Sequence, residues 1–122
     1  MTKLSTDLHQ RLPLSPAAFS ILLALKGGEK HGYAILREVS LQSEGTQKLL
    51  PGTLYNLLKR MLDDGWVEEL EERPDPHLDD ERRRYYRLTG IGERIAVLEA
   101  ERLAAQVRTA LERGLLPGGK EI

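Results

Sequence analysis

The chain has 122 residues, an apolar fraction of 40% and a formal net charge of −1, which fits one compact domain with an appended element rather than two full domains. Because it has no cysteine, a disulfide framework, a thiolate metal site and a cysteine nucleophile are excluded, and we expect a reducing, cytoplasmic setting. The longest apolar run, residues 19–25, is too short to span a bilayer, so no membrane association is expected.

Two amphipathic helices are predicted near the start of the chain. Ser15 followed by Pro16 is a helix-start signal, and apolar residues at i, i+3, i+4 and i+7 predict a helix over residues 16–26. A second apolar set predicts a short helix over residues 31–41, followed by a polar connection. Residues 1–12 are predicted to be a flexible N-terminus.

A third helix is predicted to begin at Pro51 and to end near Gly65, a helix-terminating glycine. On a helical wheel its leucines and Met61 form one face, and polar side chains with Asn56 near their centre form the opposite face. The helix therefore buries one side and offers the other to solvent or to a partner.

Two strands are predicted over residues 66–72 and 82–88, joined by a long segment rich in turn-forming residues. Trp66 is predicted to anchor the first strand in the core, and of Tyr85 and Tyr86 one should face the core and the other solvent, because successive strand residues point to opposite faces. The segment from residue 66 to residue 88 holds eight acidic and five basic residues, a net charge of −3.

The last element is a helix over residues 90–113, for which Thr89 is the expected N-cap, and it carries two apolar stripes. One stripe suffices to pack a helix on its own domain, and the second, with its 3-4-3-4 spacing, resembles a short coiled-coil seam that needs a partner helix. We therefore predict a dimerisation helix whose interface residues are Val97, Ala100, Leu103, Ala104, Val107 and Leu111. Residues 114–122, which hold three glycines and a proline, are predicted to be a flexible tail.

This order of elements is typical of a winged helix-turn-helix domain, here residues 13–89, so the predicted fold class is mainly α with a small β-hairpin plus a long C-terminal helix. In that fold the third helix can enter the DNA major groove, where the carboxamide of Asn56 can pair with the N6/N7 edge of adenine. The other candidates on or before this helix carry cationic or hydroxyl groups that suit phosphate or guanine: Lys48, Thr53, Tyr55, Lys59 and Arg60. An ordinary solvated face is the alternative for each residue taken singly.

In the hairpin, Arg82, Arg83 and Arg84 lie where a wing would approach phosphates. The alternative interpretation is that these arginines pair with carboxylates across the hairpin. Both interpretations stay open at the level of sequence.

Three segments closely resemble the PadR-like transcriptional regulators: GEKHGYAI over Gly28–Ile35, LLPGTLYNLLKRMLDDGWVEE over Leu49–Glu69 and RRRYYRLTGIGE over Arg82–Glu93. The resemblance covers residues 14–95 and implies a dimeric winged-helix repressor, from a bacterium or archaeon, that binds an inverted-repeat operator. It further implies that Tyr33, at the start of the second helix, contacts a DNA phosphate, and that the helix over residues 51–60 reads the bases.

The single helix after the wing is similar to the compact subgroup of this family. Some compact members bind flat aromatic effectors at the dimer interface through an aromatic residue on the last helix, whereas residues 90–113 here contain no Phe, Tyr or Trp. A small-molecule effector of unknown identity is therefore left open.

The leading prediction is a sequence-specific DNA-binding regulator, a repressor that acts as a homodimer on double-stranded operator DNA. The alternative is a winged-helix module that binds protein, which the negative net charge and the acidic hairpin favour. We do not expect an enzyme, because the sequence holds no catalytic set. We also expect no metal or other cofactor, since His9, His31 and His77 lack the spacing of metal ligands.

Overall fold

The computed structural model describes the backbone of residues 8–74 and 82–117 and the side chains of residues 8–71 and 84–117. The elements in chain order are α1 (Pro16–Lys26), β1 (Lys30–His31), α2 (Gly32–Gln42), α3 (Pro51–Asp63), β2 (Val67–Pro74), β3 (Arg82–Leu88) and α4 (Gly90–Glu112). Three short helices, a small antiparallel sheet and one long helix confirm the predicted fold class. The four predicted helices agree with the observed ones to within about two residues at each end, the usual uncertainty of helix boundaries.

Two of the helices begin at the residues that the sequence marks as caps. The Ser15 hydroxyl accepts the backbone N–H of Ala18 at 3.1 Å, and Pro16 occupies the first turn, where its missing N–H leaves no hydrogen bond unmade. Thr89 plays the same part for α4, accepting the N–H of Gly92 at 3.0 Å. Side-chain caps of this kind satisfy a donor that the first turn leaves without an intrahelical partner.

The end of α3 explains how the chain turns into the sheet. Gly65 adopts a φ of 77°, the left-handed conformation that favours glycine after a helix. Trp66 then donates its backbone N–H to the Met61 carbonyl at 2.9 Å, which closes the helix in a Schellman-type turn. The indole of Trp66 is thereby directed into the core, where it is 4% exposed, as predicted.

The sheet has three strands in the order β1-β3-β2, all antiparallel. The sequence predicts β2 and β3 only. The additional strand β1 pairs Lys30 with Tyr86 and His31 with Tyr85, and two residues are too few to show a strand periodicity. The segment between β2 and β3, residues 75–81, lies outside the described residues, as do residues 1–7 and 118–122 of the two predicted flexible ends.

A single core forms between the helices and the sheet. Tyr86 faces it from the central strand, as expected for one of the two tyrosines, whereas Tyr85 is half-buried rather than exposed because it meets the ring of His31. The helices supply aliphatic side chains at helical spacing, all with at most 3% of their surface exposed: Ile21, Leu22, Leu25, Ile35, Val39, Leu54, Leu58, Met61 and Ile95.

Helix α4 packs on the domain through an unusually close approach at Gly92. A Cβ added there would overlap the Trp66 carbonyl oxygen and lie 2.8 Å from a terminal carbon of Leu88. Only glycine allows this approach, because the atom in the way belongs to the backbone. The first half of α4 buries Ile95 and Glu99, whereas no residue from 100 to 112 is buried within the described chain.

The N-terminal segment differs from the free terminus predicted over residues 1–12, in the part that the structure describes. Leu8 is 4% exposed in the core, and Arg11 forms an ion pair with Asp64 at 2.8 Å. The Arg11 guanidinium also lies 4.7 Å from the ring centroid of Trp66, a cation–π contact. These contacts involve residues far along the chain, so local sequence gives no sign of them.

Candidate nucleic-acid interface

Helix α3 separates its apolar and polar residues cleanly. Leu54, Leu58 and Met61 are at most 2% exposed, and they recur at the i, i+4, i+7 spacing that places them on one face. The opposite face is exposed over the described residues and carries the predicted reader side chains Thr53, Asn56, Lys59 and Arg60. This face is therefore left uncovered by the part of the chain that the structure describes.

The polar ends of Asn56 and Lys59 make no hydrogen bond or ion pair with the described residues. A carboxamide and an ammonium in this state are hydrated in the free protein, and they can exchange water for a base edge or a phosphate without breaking a protein contact. Lys48 is likewise exposed, in the connection that precedes α3.

The start of α2 lies beside α3 and is held by His31. The Nδ1 atom of His31 accepts the backbone N–H of Ala34 at 3.2 Å, which makes His31 the N-cap of the helix. Its ring stacks with that of Tyr33 at a centroid distance of 6.5 Å and meets Tyr85 edge-on at 5.4 Å. Tyr33 itself is 56% exposed, so its hydroxyl is accessible to a phosphate.

Tyr55 is placed differently from the other candidates on α3. Its side chain is half exposed, but its hydroxyl end lies against Gly32 at the first turn of α2. The sequence predicts a hydroxyl directed at the DNA backbone, and it does not predict this contact with α2.

The wing arginines are engaged by glutamates of the neighbouring strand where the structure describes them. Arg84 pairs with Glu69 at 3.2 Å between Nε and Oε1, and Arg87 pairs with Glu68. The Arg84–Glu69 pair is the cross-hairpin pairing that the sequence left open as an alternative. The side chains of Arg82 and Arg83 lie outside the described residues, although their backbone belongs to β3.

The predicted dimer residues all lie on α4, and none of them is buried. Val97 and Val107 are 49% and 45% exposed, Ala100 and Ala104 are also exposed, and Leu103 and Leu111 are half-buried. This second stripe is thus left without a partner by the described chain, while the first stripe, centred on Ile95, packs against the core.

Glu99 is a buried charge that the sequence analysis did not single out. It is 2% exposed, and its two carboxylate oxygens each accept a hydrogen bond from Arg102 at 2.8 Å. Hydrogen bonds from the Arg102 side chain, and a weaker one from the backbone N–H of Leu14, hold the pKa of Glu99 below its ordinary value although burial opposes the shift. Its position four residues after Ile95 is the signal that places it on the buried face.

Neither a metal centre nor a membrane segment is found in the described residues. No group of three or more histidine, cysteine or acidic side chains within residues 8–74 and 82–117 is placed to hold a metal ion. Within those same ranges, every helix is too short or too polar to cross a bilayer.

The comparisons with known proteins agree with this architecture. Residues 21–97 match the sequence model of the Transcriptional regulator PadR-like family. A PadR-like transcriptional regulator from Bacillus cereus superposes with a TM-score of 0.66 at 21% identity, covering 83% of this chain and 91% of that chain. A PadR family transcription regulator from Clostridium difficile superposes with a TM-score of 0.65 at 20% identity, covering 84% and 100%. The complex structure of hsRosR-S1 superposes with a TM-score of 0.61 at 27% identity, covering 82% of this chain and 79% of that chain.

No curated protein sequence matches the chain at a significant level. The two bacterial structures are below 25% identity and support the fold, while the family match spans more than half of the chain, including α3, the sheet and the start of α4. On that match, with the exposed face of α3 and the arrangement of the sheet, the chain belongs to the Transcriptional regulator PadR-like family.

Proposed function

We propose that the chain is a sequence-specific DNA-binding repressor that inserts α3 into the major groove of an inverted-repeat operator. The observation that supports this most strongly is the uncovered face of α3. Its apolar side packs into the core through Leu54, Leu58 and Met61, and its polar side offers an amide and two cations that no described residue engages or covers. A helix that reads bases needs one face that is packed against its own domain and an opposite face that is free to contact the groove.

The side chains divide into two groups by the chemistry they offer. Asn56 supplies a carboxamide that matches adenine in two hydrogen bonds, and is proposed as the base contact. Thr53, Lys59 and Arg60 on α3, with Lys48 before it, are proposed to hold the phosphate backbone on either side.

Tyr33 is proposed as a further phosphate contact from the start of α2. It is exposed and it lies at a helix N-terminus, where the backbone dipole favours an anion. The contact would fix how deeply α3 enters the groove.

The wing is proposed as a secondary contact. Of its arginines, Arg84 is already paired with Glu69, so its approach to a phosphate would first break an ion pair. Arg82 and Arg83 stay candidates on the grounds of sequence alone.

The test compares two substitutions on the same helix face. Asn56→Ala should cost about 1–3 kcal/mol at one base-pair position of a selected duplex and leave binding to random DNA nearly unchanged. Lys59→Ala should instead weaken all sequences alike and lower the slope of log K against log salt by about one. Both are read by fluorescence anisotropy over a salt series. If the wild-type chain does not prefer any duplex over random DNA at physiological salt, the proposal fails.

We further propose that the operator-binding form is a homodimer joined through α4. The stripe from Val97 to Leu111 is apolar, and the described chain leaves it unburied. Its alanines would let two helices approach closely, and its 3-4-3-4 spacing suits helix pairing. Two-fold symmetry of the protein would then match the symmetry of an inverted repeat.

Charged substitutions test the dimer. Ala104→Glu combined with Val107→Glu should give monomers and abolish operator binding, because four carboxylates would be forced into one apolar seam. Thr109→Glu, on the opposite side of α4, is the matched control and should stay dimeric. Molar mass by light scattering measures the result, and a wild-type monomer at micromolar concentration would contradict the proposal.

A protein-binding module is the second candidate, and the ion pairs of Arg84 and Arg87 with wing glutamates favour it. A partner bound through the α3 face, which DNA could not displace, would support that alternative. Displacement of the partner by a selected duplex would support the repressor.

A further inference from the structure

Tyr55 and Gly32 are in direct contact between α3 and α2. A Cβ added at Gly32 would overlap the hydroxyl oxygen of Tyr55 and lie only 2.9 Å from Cζ of its ring. Gly32 is buried in the first turn of α2, and it adopts ordinary helical backbone geometry there. Any side chain at this position would force the ring of Tyr55 to shift, because the tyrosine fills the place that the side chain would take.

The same tyrosine also lies near the central strand of the sheet. Tyr86 of β3 is 4% exposed, and burial raises the pKa of its hydroxyl, with further increases from the neighbouring Glu69 and Tyr55. Tyr55 therefore lies where α2, α3 and β3 meet. Tyr55 is half exposed as a whole, and its hydroxyl end lies against Gly32.

The contact joins the two parts of the proposed DNA-binding surface by the shortest route. Tyr55 directly precedes Asn56, the proposed base contact on α3. Gly32 directly precedes Tyr33, the proposed phosphate contact on α2. The distance between the base contact and the phosphate contact is consequently set by how closely the ring of Tyr55 packs on Gly32, one residue away from each.

We infer that Tyr55 is a positioning residue, a spacer whose packing on Gly32 sets the register between the phosphate contact of α2 and the base contact of α3. The inference rests on the proposed DNA-binding function, and it replaces the role of a phosphate-binding hydroxyl that the sequence suggests for Tyr55. Moving the two helices apart removes no phosphate-binding cation but shifts the carboxamide of Asn56 relative to the phosphate contact of Tyr33, so the carboxamide no longer meets its base. Sequence preference should therefore suffer more than overall affinity.

Four variants test the inference against a duplex that the wild-type chain selects from a random pool, with an unselected duplex of equal length as reference. Gly32→Ala should weaken the selected duplex about tenfold or more, the size of one lost base contact, and change the unselected duplex by less than about threefold. Tyr55→Ala should have a similar effect, because it removes the spacer. Tyr55→Phe keeps the ring and should stay within about threefold of wild type, with the same salt slope.

The decisive measurement is the double variant Gly32→Ala/Tyr55→Ala. If the two residues act through their contact, adding Gly32→Ala to Tyr55→Ala should cost little more, because the ring that the new methyl group would strike is gone. Additive losses in the double variant, or a Tyr55→Phe loss as large as that of Tyr55→Ala, would overturn the inference.

The unselected duplex separates register from folding. A variant that fails to fold loses both duplexes together, whereas a change of register loses only the selected one. If the wild-type chain enriches no duplex at all, the proposed function fails and the inference with it. Enrichment by wild type together with additive losses would refute the inference alone.

Discussion

Neutralising Glu99 should destabilise the fold and remove part of its acid sensitivity. The carboxylate is 2% exposed and accepts two hydrogen bonds from Arg102, and the nearby backbone of Leu14 also favours its charged form. Glu99→Gln keeps the shape but removes the negative charge that faces the Arg102 guanidinium, and its amide group can accept at only one of the two positions. Because the Arg102 side chain is one-third exposed, we expect a loss of about 1–2 kcal/mol in the free energy of unfolding.

The pH dependence follows from the direction of the pKa shift. The pKa of Glu99 is lowered in the folded chain from its ordinary value of 4.5, so the unfolded chain binds the proton more readily. The stabilising contribution is therefore fully present above about pH 4.5 and is lost as the pH falls through the lower, folded value. In Glu99→Gln, this contribution to the fall of the unfolding free energy at low pH should be absent.

Urea unfolding followed by circular dichroism between pH 3 and pH 7 measures both effects. The chain concentration must be held fixed, since a dimer adds a concentration-dependent term to the stability. Glu101→Gln, an exposed carboxylate two residues along the same helix, is the matched control and should change stability by less than about 0.5 kcal/mol. A Glu99→Gln curve that coincides with wild type at every pH would refute the reasoning.

Two further predictions follow, one for the close packing of α4 at Gly92 and one for the ion pair of Arg84 in the wing. Gly92→Ala should lower the free energy of unfolding by about 1–3 kcal/mol or more, because its methyl group would strike the backbone carbonyl of Trp66, whereas Gly90→Ala, whose Cβ would meet nothing, should be almost neutral. Thermal melts distinguish these outcomes, and equal melting temperatures would show that the approach can relax. Glu69→Gln removes the ion pair with Arg84 and one negative charge from the wing, and it should raise affinity for random DNA about twofold to threefold with a steeper salt slope. Unchanged binding would mean that the wing stays off the DNA.

The helices could be predicted because their signals are local. Ser15 and Thr89 mark helix starts, Gly65 marks an end, and the leucines of α3 repeat at helical spacing, so each of these follows from a few neighbouring residues. The amphipathic pattern also identified the face of α3 that the described chain leaves exposed.

The contacts that hold the interface together could not be predicted in the same way. The strand β1 exists because Lys30 and His31 find β3 more than fifty residues later. Gly32 is a neutral choice until Tyr55 is placed beside it, and Glu99 looks like a solvated charge until Leu14 and the core cover it. Each depends on a partner distant in sequence, which periodicity does not report.

The close approach at Gly92 bears on the DNA that a dimer can use. Helix α4 is 23 residues long, about 35 Å at 1.5 Å per residue. At Gly92 its backbone packs directly on the backbone of Trp66 in the winged-helix domain, which leaves no flexible joint at this point. In a dimer, two such α4 helices would hold the two α3 helices at one separation and one relative rotation. Since each added base pair turns the duplex by roughly 35°, the assembly would accept a single half-site spacing and reject operators with even one base pair inserted at the centre.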